Sequence, residues 1–156
     1  MKTWIALLVI SLPLPAAADC SRWSAGMQED EGGKVMTAQI CDATGKVSRA
    51  LLVTCGEPGK LSIRYLADDI GNVEPNYTTK LEFSFDQELF TEPAQYEEMD
   101  GALAAEVGID TPFVSILKTQ KQVLLADVKD KAPGATFTLK GSRPALDKLI
   151  ATCRRK

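Results

Sequence analysis

The residues able to do chemistry in this chain are carboxylates, hydroxyls and thiols, because its 156 residues include no histidine. Every mechanism that requires an imidazole is thereby excluded, including a Ser-His-Asp triad, a Cys-His pair and histidine-ligated zinc. Two acidic groups, Glu29-Asp30-Glu31 and Glu97-Glu98 with Asp100, would suit glycoside hydrolysis only if two carboxyls faced one substrate. Charge runs are usually solvated surface, and that is the expectation for both. Asp68 and Asp69, with Asn72 and Glu74, form the densest set of hard oxygen ligands, and their loop is the candidate binding segment. Its spacing is not that of an EF-hand, so a solvated turn is expected in place of a calcium site. Ser142 does not stand in a Ser-x-x-Lys relation to Lys148, and Gly32-Gly33-Lys34 lacks the leading glycine of a phosphate loop. These residues call for no metal and no cofactor.

The thiols are Cys20, Cys41, Cys55 and Cys153. No two are separated by the short spacing of a structural zinc site, and an even count in an exported domain implies two disulfides. Periodicity selects among the three possible pairings. From Ser142 to Cys153, a helix with Ser142 as N-cap and Pro144 in its first turn puts Leu146, Leu149, Ile150 and Cys153 on one face. In the strand Arg49 to Cys55, two-residue alternation places Leu51, Val53 and Cys55 together. Cys55 is therefore expected to bond Cys153, leaving Cys20 with Cys41. Both bridges read as structural, since neither a C-x-x-C motif nor a local cluster of cations accompanies them.

The elements that must position these groups are mostly strands. Arg22 to Gly33 is polar and reads as a loop anchored by Trp23, after which Lys34 to Cys41 and Ser48 to Cys55 alternate about a turn at Asp42 to Lys46. Lys60 to Leu66 and Thr78 to Asp86 alternate as well, the latter with Leu81, Phe83 and Phe85 on one face. Glu92 to Ala102 is read as a strand. Asp110, Thr111 and Pro112 open a short helix ending near Gln120, followed by strands at Gln122 to Val128 and Ala135 to Lys140, with Gly141 releasing the chain into the last helix. About seven strands with two helices make a mainly β (α+β) domain: an antiparallel sheet or β-sandwich with a short helix and a C-terminal helix tied to the sheet.

The N-terminus supplies an address. Lys2, an apolar run from Trp4 through Leu14, and small residues Ala16-Ala17-Ala18 form a secretory signal with cleavage after Ala18, so residues 1–18 are the signal and 19–156 a single domain. The run is shorter than the roughly 20 residues of a spanning helix and carries Pro13 and Pro15, so no membrane span is expected after cleavage. A periodic, bridged domain of this kind belongs in the periplasm or outside the cell. Its 18 basic against 21 acidic residues offer no electrostatic reason to bind nucleic acid. Aromatics, at 6%, are too sparse for a stacking platform, although Trp23 or Tyr65 could join a small patch. The tail Arg154-Arg155-Lys156 complements the dipole of the helix before it.

The strand Leu51-Leu52-Val53-Thr54-Cys55-Gly56, the run Leu81 to Asp86, the short helix near Phe113 to Leu117 and the finish Thr136 to Ser142 with Ala145, Leu146, Leu149 and Cys153 resemble small exported bacterial proteins of the type VI secretion-associated TagO/VasI kind. The finish is also similar to invasion-associated protein B-like domains. The resemblance implies an exported β-rich fold with a bridge from Cys55 to Cys153, and a role beside a secretion system. The sequence departs from the family where Ser84 stands before Phe85 in place of an arginine, and no tryptophan follows that strand. Taken together, the residues point to a non-catalytic accessory protein that engages a protein partner in the bacterial envelope. A secreted inhibitor, placing the Asp68 to Asn76 loop in the active site of a foreign hydrolase, is the alternative, and a carboxylate-dependent envelope enzyme the third reading.

Overall fold

The computed structural model describes residues 20–30, 32–42, 48–68, 70 and 73–154. Residues 1–19, which hold the expected signal, Glu31, residues 43–47, where a turn was expected, Asp69, Gly71, Asn72, Arg155 and Lys156 lie outside the described residues. Nine strands form one antiparallel sheet: β1 (Ser24–Asp30), β2 (Gly33–Asp42), β3 (Arg49–Cys55), β4 (Lys60–Ala67), β5 (Thr78–Ser84), β6 (Leu89–Glu97), β7 (Ala102–Gly108), β8 (Gln122–Asp127) and β9 (Ala135–Thr138). Their order is β1-β2-β3-β4-β7-β6-β5-β8-β9. Among the described residues, two helices, α1 (Pro112–Leu117) and α2 (Ser142–Cys153), accompany the sheet.

The sheet has two open edges, β1 and β9, yet it is rolled so that its ends meet. Trp23 joins them: its backbone N–H donates to the carbonyl of Lys140 at 3.1 Å and its indole Nε1 to that of Thr138 at 2.9 Å. Across the interior, the Tyr65 hydroxyl on β4 donates to the carbonyl of Pro133 at 2.5 Å, and its ring meets Phe137 edge-on at 6.2 Å. The expectation of a sheet or a sandwich thus resolves into one sheet whose two halves face each other over a shared core.

Alternation fills that core. Ile40, Leu51, Val53, Leu61, Ile63, Tyr65, Leu81, Phe83, Leu103, Val123, Leu125 and Phe137 are all buried on the inward face. The helix α1 plugs one part of it, Phe113 meeting Phe83 at 4.8 Å and Phe90 at 5.4 Å between ring centroids. Pro112 opens α1 at a position where a missing N–H costs nothing.

Three sequence expectations need correction. Arg22 to Gly33 is not a loop: residues Ser24–Asp30 pair in full register with β2, from Ser24 opposite Gln39 to Asp30 opposite Gly33. An edge strand has one neighbour and few inward positions, so its apolar signal is too thin to read. The single strand expected over Glu92 to Ala102 is a hairpin, with β6 ending at Glu97 and β7 beginning at Ala102. Alanine-rich β7 has helix-like composition, but between β4 and β6 its Leu103, Ala105 and Val107 face the core. Pro93 is accommodated in β6 because the ladder to β7 starts only at Ala94. Finally, the N-cap of α2 is Gly141, not Ser142. Gly141 has φ +88°, and a Cβ there would lie 3.0 Å from the carbonyl oxygen of Trp23, while Ser142 enters the helix buried.

Candidate binding site on the outer sheet face

Both expected disulfides form, Cys55 with Cys153 at a Cα separation of 5.4 Å and Cys20 with Cys41 at 5.2 Å. The first pins α2 to the end of β3, whose inward alternation it continues. The space beside it is lined by Lys60 and Arg154 as well as by the two half-buried cysteines. These cations come from distant segments, so the sequence did not show them. Both are occupied, Lys60 by Glu57 at 2.6 Å and Glu106 at 3.3 Å, and Arg154 by Asp110 at 2.5 Å. Glu57 correspondingly sits below its ordinary pKa, through the hydrogen bond from Lys60.

The Asp68 to Asn76 loop is described only in part. Asp68 is exposed, and its N–H donates to the Ser48 carbonyl at 3.2 Å, while Glu74 is exposed and its carbonyl accepts from Tyr77 at 2.9 Å. Among the described residues, no group of three or more Cys, Asp or Glu is arranged to hold a metal ion. Trp23 and Tyr65 are both in the core and cannot form a surface patch, since each is spent joining opposite parts of the sheet. Ser142 is buried and Lys148 donates to the Ala25 carbonyl at 3.0 Å, so the two act separately.

Apart from the half-buried Glu97, the described members of the acidic groups are exposed, as expected of charge runs, and parts of both come together: Glu29 and Asp30 of β1 and Asp100 of the β6–β7 turn line one cleft of about 170 Å³ on the outer face of the sheet. Register explains the convergence. On that face Gln39 stands opposite Leu52, Leu52 opposite Arg64, Arg64 opposite Ala104, and Ala104 opposite Gln95. Arg64 on β4 is therefore central. Its Nε donates to Glu97 Oε2 at 2.6 Å and lies 3.4 Å from Asp100 Oδ2, and its Nη1 reaches Thr54 Oγ1 at 3.4 Å. The hydrogen bond to Glu97 raises the guanidinium's pKa against the opposing effect of burial, with Asp100 and Asp30 adding attraction. Val35, Leu52 and Leu66 supply apolar floor, and Gln28 Nε2 donates to Gln39 Oε1 at 2.6 Å at the β1 side.

A second, separate cluster surrounds Asp127, which is 2% exposed at the end of β8. Its carboxylate accepts from the hydroxyls of Thr79 and Tyr77 and from the backbone N–H groups of Lys129, Lys131 and Ala132. Burial pushes this carboxyl up, but the donors together outweigh it and hold the pKa below its ordinary value of 3.8. Asp127 thereby ties the β8–β9 connection to β5. Sequence reasoning missed it, although an Asp followed by a lysine-rich turn was a usable sign of side-chain to backbone bonding.

With the geometry in place, the comparison with solved structures is informative. The crystal structure of invasion associated protein B from Bartonella henselae superposes with a TM-score of 0.57 over 85% of this chain and 93% of that chain, at 19% sequence identity. The two proteins share a fold. No protein-family model matches the sequence, and no curated protein does. Of the two resemblances drawn from the sequence, the structural likeness accordingly falls on the invasion associated protein B side. No described helix is long and apolar enough to cross a membrane.

Proposed function

We propose that this protein is an exported accessory protein of the bacterial envelope that acts by binding a protein partner and not by catalysis. The observation that carries the reading is Arg64. The acidic groups meet at one cleft, but the guanidinium stands among them and takes up Glu97 and Asp100. Glycoside hydrolysis asks for one protonated carboxyl and a second free to act as base or nucleophile. Carboxylates committed to an arginine favour recognition over proton transfer. Two disulfides, in a chain whose N-terminal sequence reads as a secretory signal, support an oxidising compartment. The structural neighbour's name describes an invasion associated protein, and an accessory role of that general kind is what is carried over. A place beside a secretion system is the narrower form of the same proposal.

The test is an affinity pull-down from the native envelope with the exported protein as bait and mass spectrometry of what it retains. Specific recovery of an envelope or secretion-machine component is expected. Recovery of none, together with saturable binding to a foreign hydrolase, would overturn the reading in favour of a secreted inhibitor. Export itself is checked by intact mass, which should correspond to a chain beginning at Asp19.

A further inference from the structure

We propose that the outer half of the β1–β2 hairpin, residues 26–30 and 33–37, is a hinged flap that closes over the outer face of the sheet and is latched there by Arg64. The inference goes beyond the binding role and does not depend on it.

The ladders show where the sheet ends and the flap begins. β1 and β2 pair from Ser24 opposite Gln39 to Asp30 opposite Gly33, whereas β2 and β3 pair only from Ala38 opposite Val53 to Asp42 opposite Arg49. Among the described residues, 33–37 of β2 therefore pair with β1 alone. Glu29 and Lys34 stand opposite each other and form an ion pair at 3.4 Å, so the two arms hold together as one ribbon.

Three observations place this ribbon folded back on the sheet. In a straight sheet Asp30, six positions beyond Ser24, would lie about 20 Å past the level of Gln39, Leu52 and Arg64. Asp30 instead lines one cleft with Arg64 and Asp100. Gln28 and Gln39, about 13 Å apart along a straight ribbon, share a hydrogen bond of 2.6 Å. Met27 stands opposite Met36 on the face that alternation sends toward the core, yet it is 55% exposed, because the bend has carried it outward.

The seat leaves room for motion. The bend falls at Gly26 opposite Thr37, immediately beyond the last β2–β3 pair, and a Cβ on Gly26 would meet nothing within 4 Å. Beneath the ribbon is a cleft of about 170 Å³ and not a filled interface, with Val35 of the underside sharing it with Leu52 and Leu66 of the sheet. Segments with few packed apolar contacts open at low free energy. What holds the ribbon down is charge. Among the described residues lining the cleft, Arg64 is the one basic side chain, against Glu29, Asp30 and Asp100, and it also holds Glu97 at 2.6 Å. Without that guanidinium the acidic end of the ribbon would face the acidic β6–β7 turn, and like charges would raise the flap. Closed, the ribbon covers Leu52, Leu66 and Arg64; raised, it opens that face.

The experiment measures ribbon-to-turn distances by pulsed electron resonance between nitroxides at Gly32→Cys, where a side chain meets nothing within 4 Å, and Met99→Cys, at a position 83% exposed. A short distance should dominate, beside a second population of about a tenth. The second distance should be longer by about 10 Å, since a ribbon of about 16 Å swings on its base. Arg64→Gln should raise the ratio of open to closed about fivefold, and Gln28→Ala about twofold. Adding Asp30→Asn to Arg64→Gln should bring the ratio back about twofold, because the repulsion is removed. A single distance, unchanged in Arg64→Gln and in Gln28→Ala, would make the ribbon a fixed part of the sheet and overturn the flap. Opening by Arg64→Gln that Asp30→Asn does not reverse would overturn the latch. Should Arg64→Gln unfold the chain by circular dichroism, Gln28→Ala, which deletes one side-chain hydrogen bond, decides alone.

Discussion

Trp23 Nε1 donates to the carbonyl oxygen of Thr138 at 2.9 Å, joining residues that flank opposite edges of the same sheet. The bond is matched by the Trp23 N–H to Lys140, and the turn that makes room for it is Gly141 at φ +88°. An open sheet of nine strands thereby behaves as a closed body without a continuous ladder. Gly141→Ala would place a methyl 3.0 Å from the Trp23 carbonyl oxygen in a conformation that L-residues resist. It should lower unfolding free energy by about 1 to 3 kcal/mol, and Trp23→Phe by about 1 to 2 kcal/mol through loss of the indole donor. Urea denaturation followed by fluorescence of Trp23 or, in its variant, by circular dichroism measures both; unchanged midpoints would show that the ends of the sheet do not depend on this junction.

The two disulfides should differ in weight. Cys55 and Cys153 are 98 positions apart, Cys20 and Cys41 only 21. In the loop-closure model, removing the long bridge by paired serine substitution costs about 4 to 5 kcal/mol, about 1 kcal/mol more than removing the short one. Denaturant midpoints of the two double variants should follow that order, and the reverse order would mean that local packing at the bridges outweighs chain entropy.

Asp127 predicts acid sensitivity. Its carboxyl is held below the ordinary 3.8 in the folded protein, so its contribution is complete above that value and is lost as pH falls through the folded one. Asp127→Asn should destabilise the protein at pH 7 by about 2 to 4 kcal/mol, since a neutral amide both accepts less strongly and presents N–H groups to existing donors. The difference from wild type should shrink on acidification below about pH 4. A pH-independent difference would show that shape and not charge is what the cluster requires.

Glu92 has the opposite sign. It faces inward on β6 opposite Leu81, and burial raises its pKa above the ordinary 4.5. A carboxyl raised in this way costs stability once pH climbs through the folded value. Glu92→Gln should therefore raise the melting temperature at pH 7, with the gain fading as pH falls toward about 4. Equal or lower stability of the variant at pH 7 would show that the charged carboxylate is held by solvent at no cost.

Much was legible along the chain because it depends on local periodicity. Arg49–Cys55 was read with its observed bounds, and the faces carrying Cys55 and Cys153 were read correctly, because alternation by two and by three to four aims a side chain whatever the tertiary context. The mainly β class, both helices and both bridges followed from the same signals. The strands that escaped, β1 and β7, are those whose own residues carry little β preference and which form because neighbours offer unpaired backbone. The Asp127 cluster escaped because three of its partners are backbone groups, which are alike in every residue.

The outer-face cleft was beyond the sequence for a different reason. Glu29-Asp30 and Asp100 were recognised as chemistry-bearing, but Arg64, which decides what they can do, was one basic residue among many. Its position depends on the order β1-β2-β3-β4-β7, in which β7 returns beside β4 after two intervening strands. Periodicity determines which face a residue occupies, a local property set by backbone geometry. Which other residues share that face is set by non-local strand pairing, and only the tertiary structure decided that Arg64 would stand among the carboxylates of two distant segments.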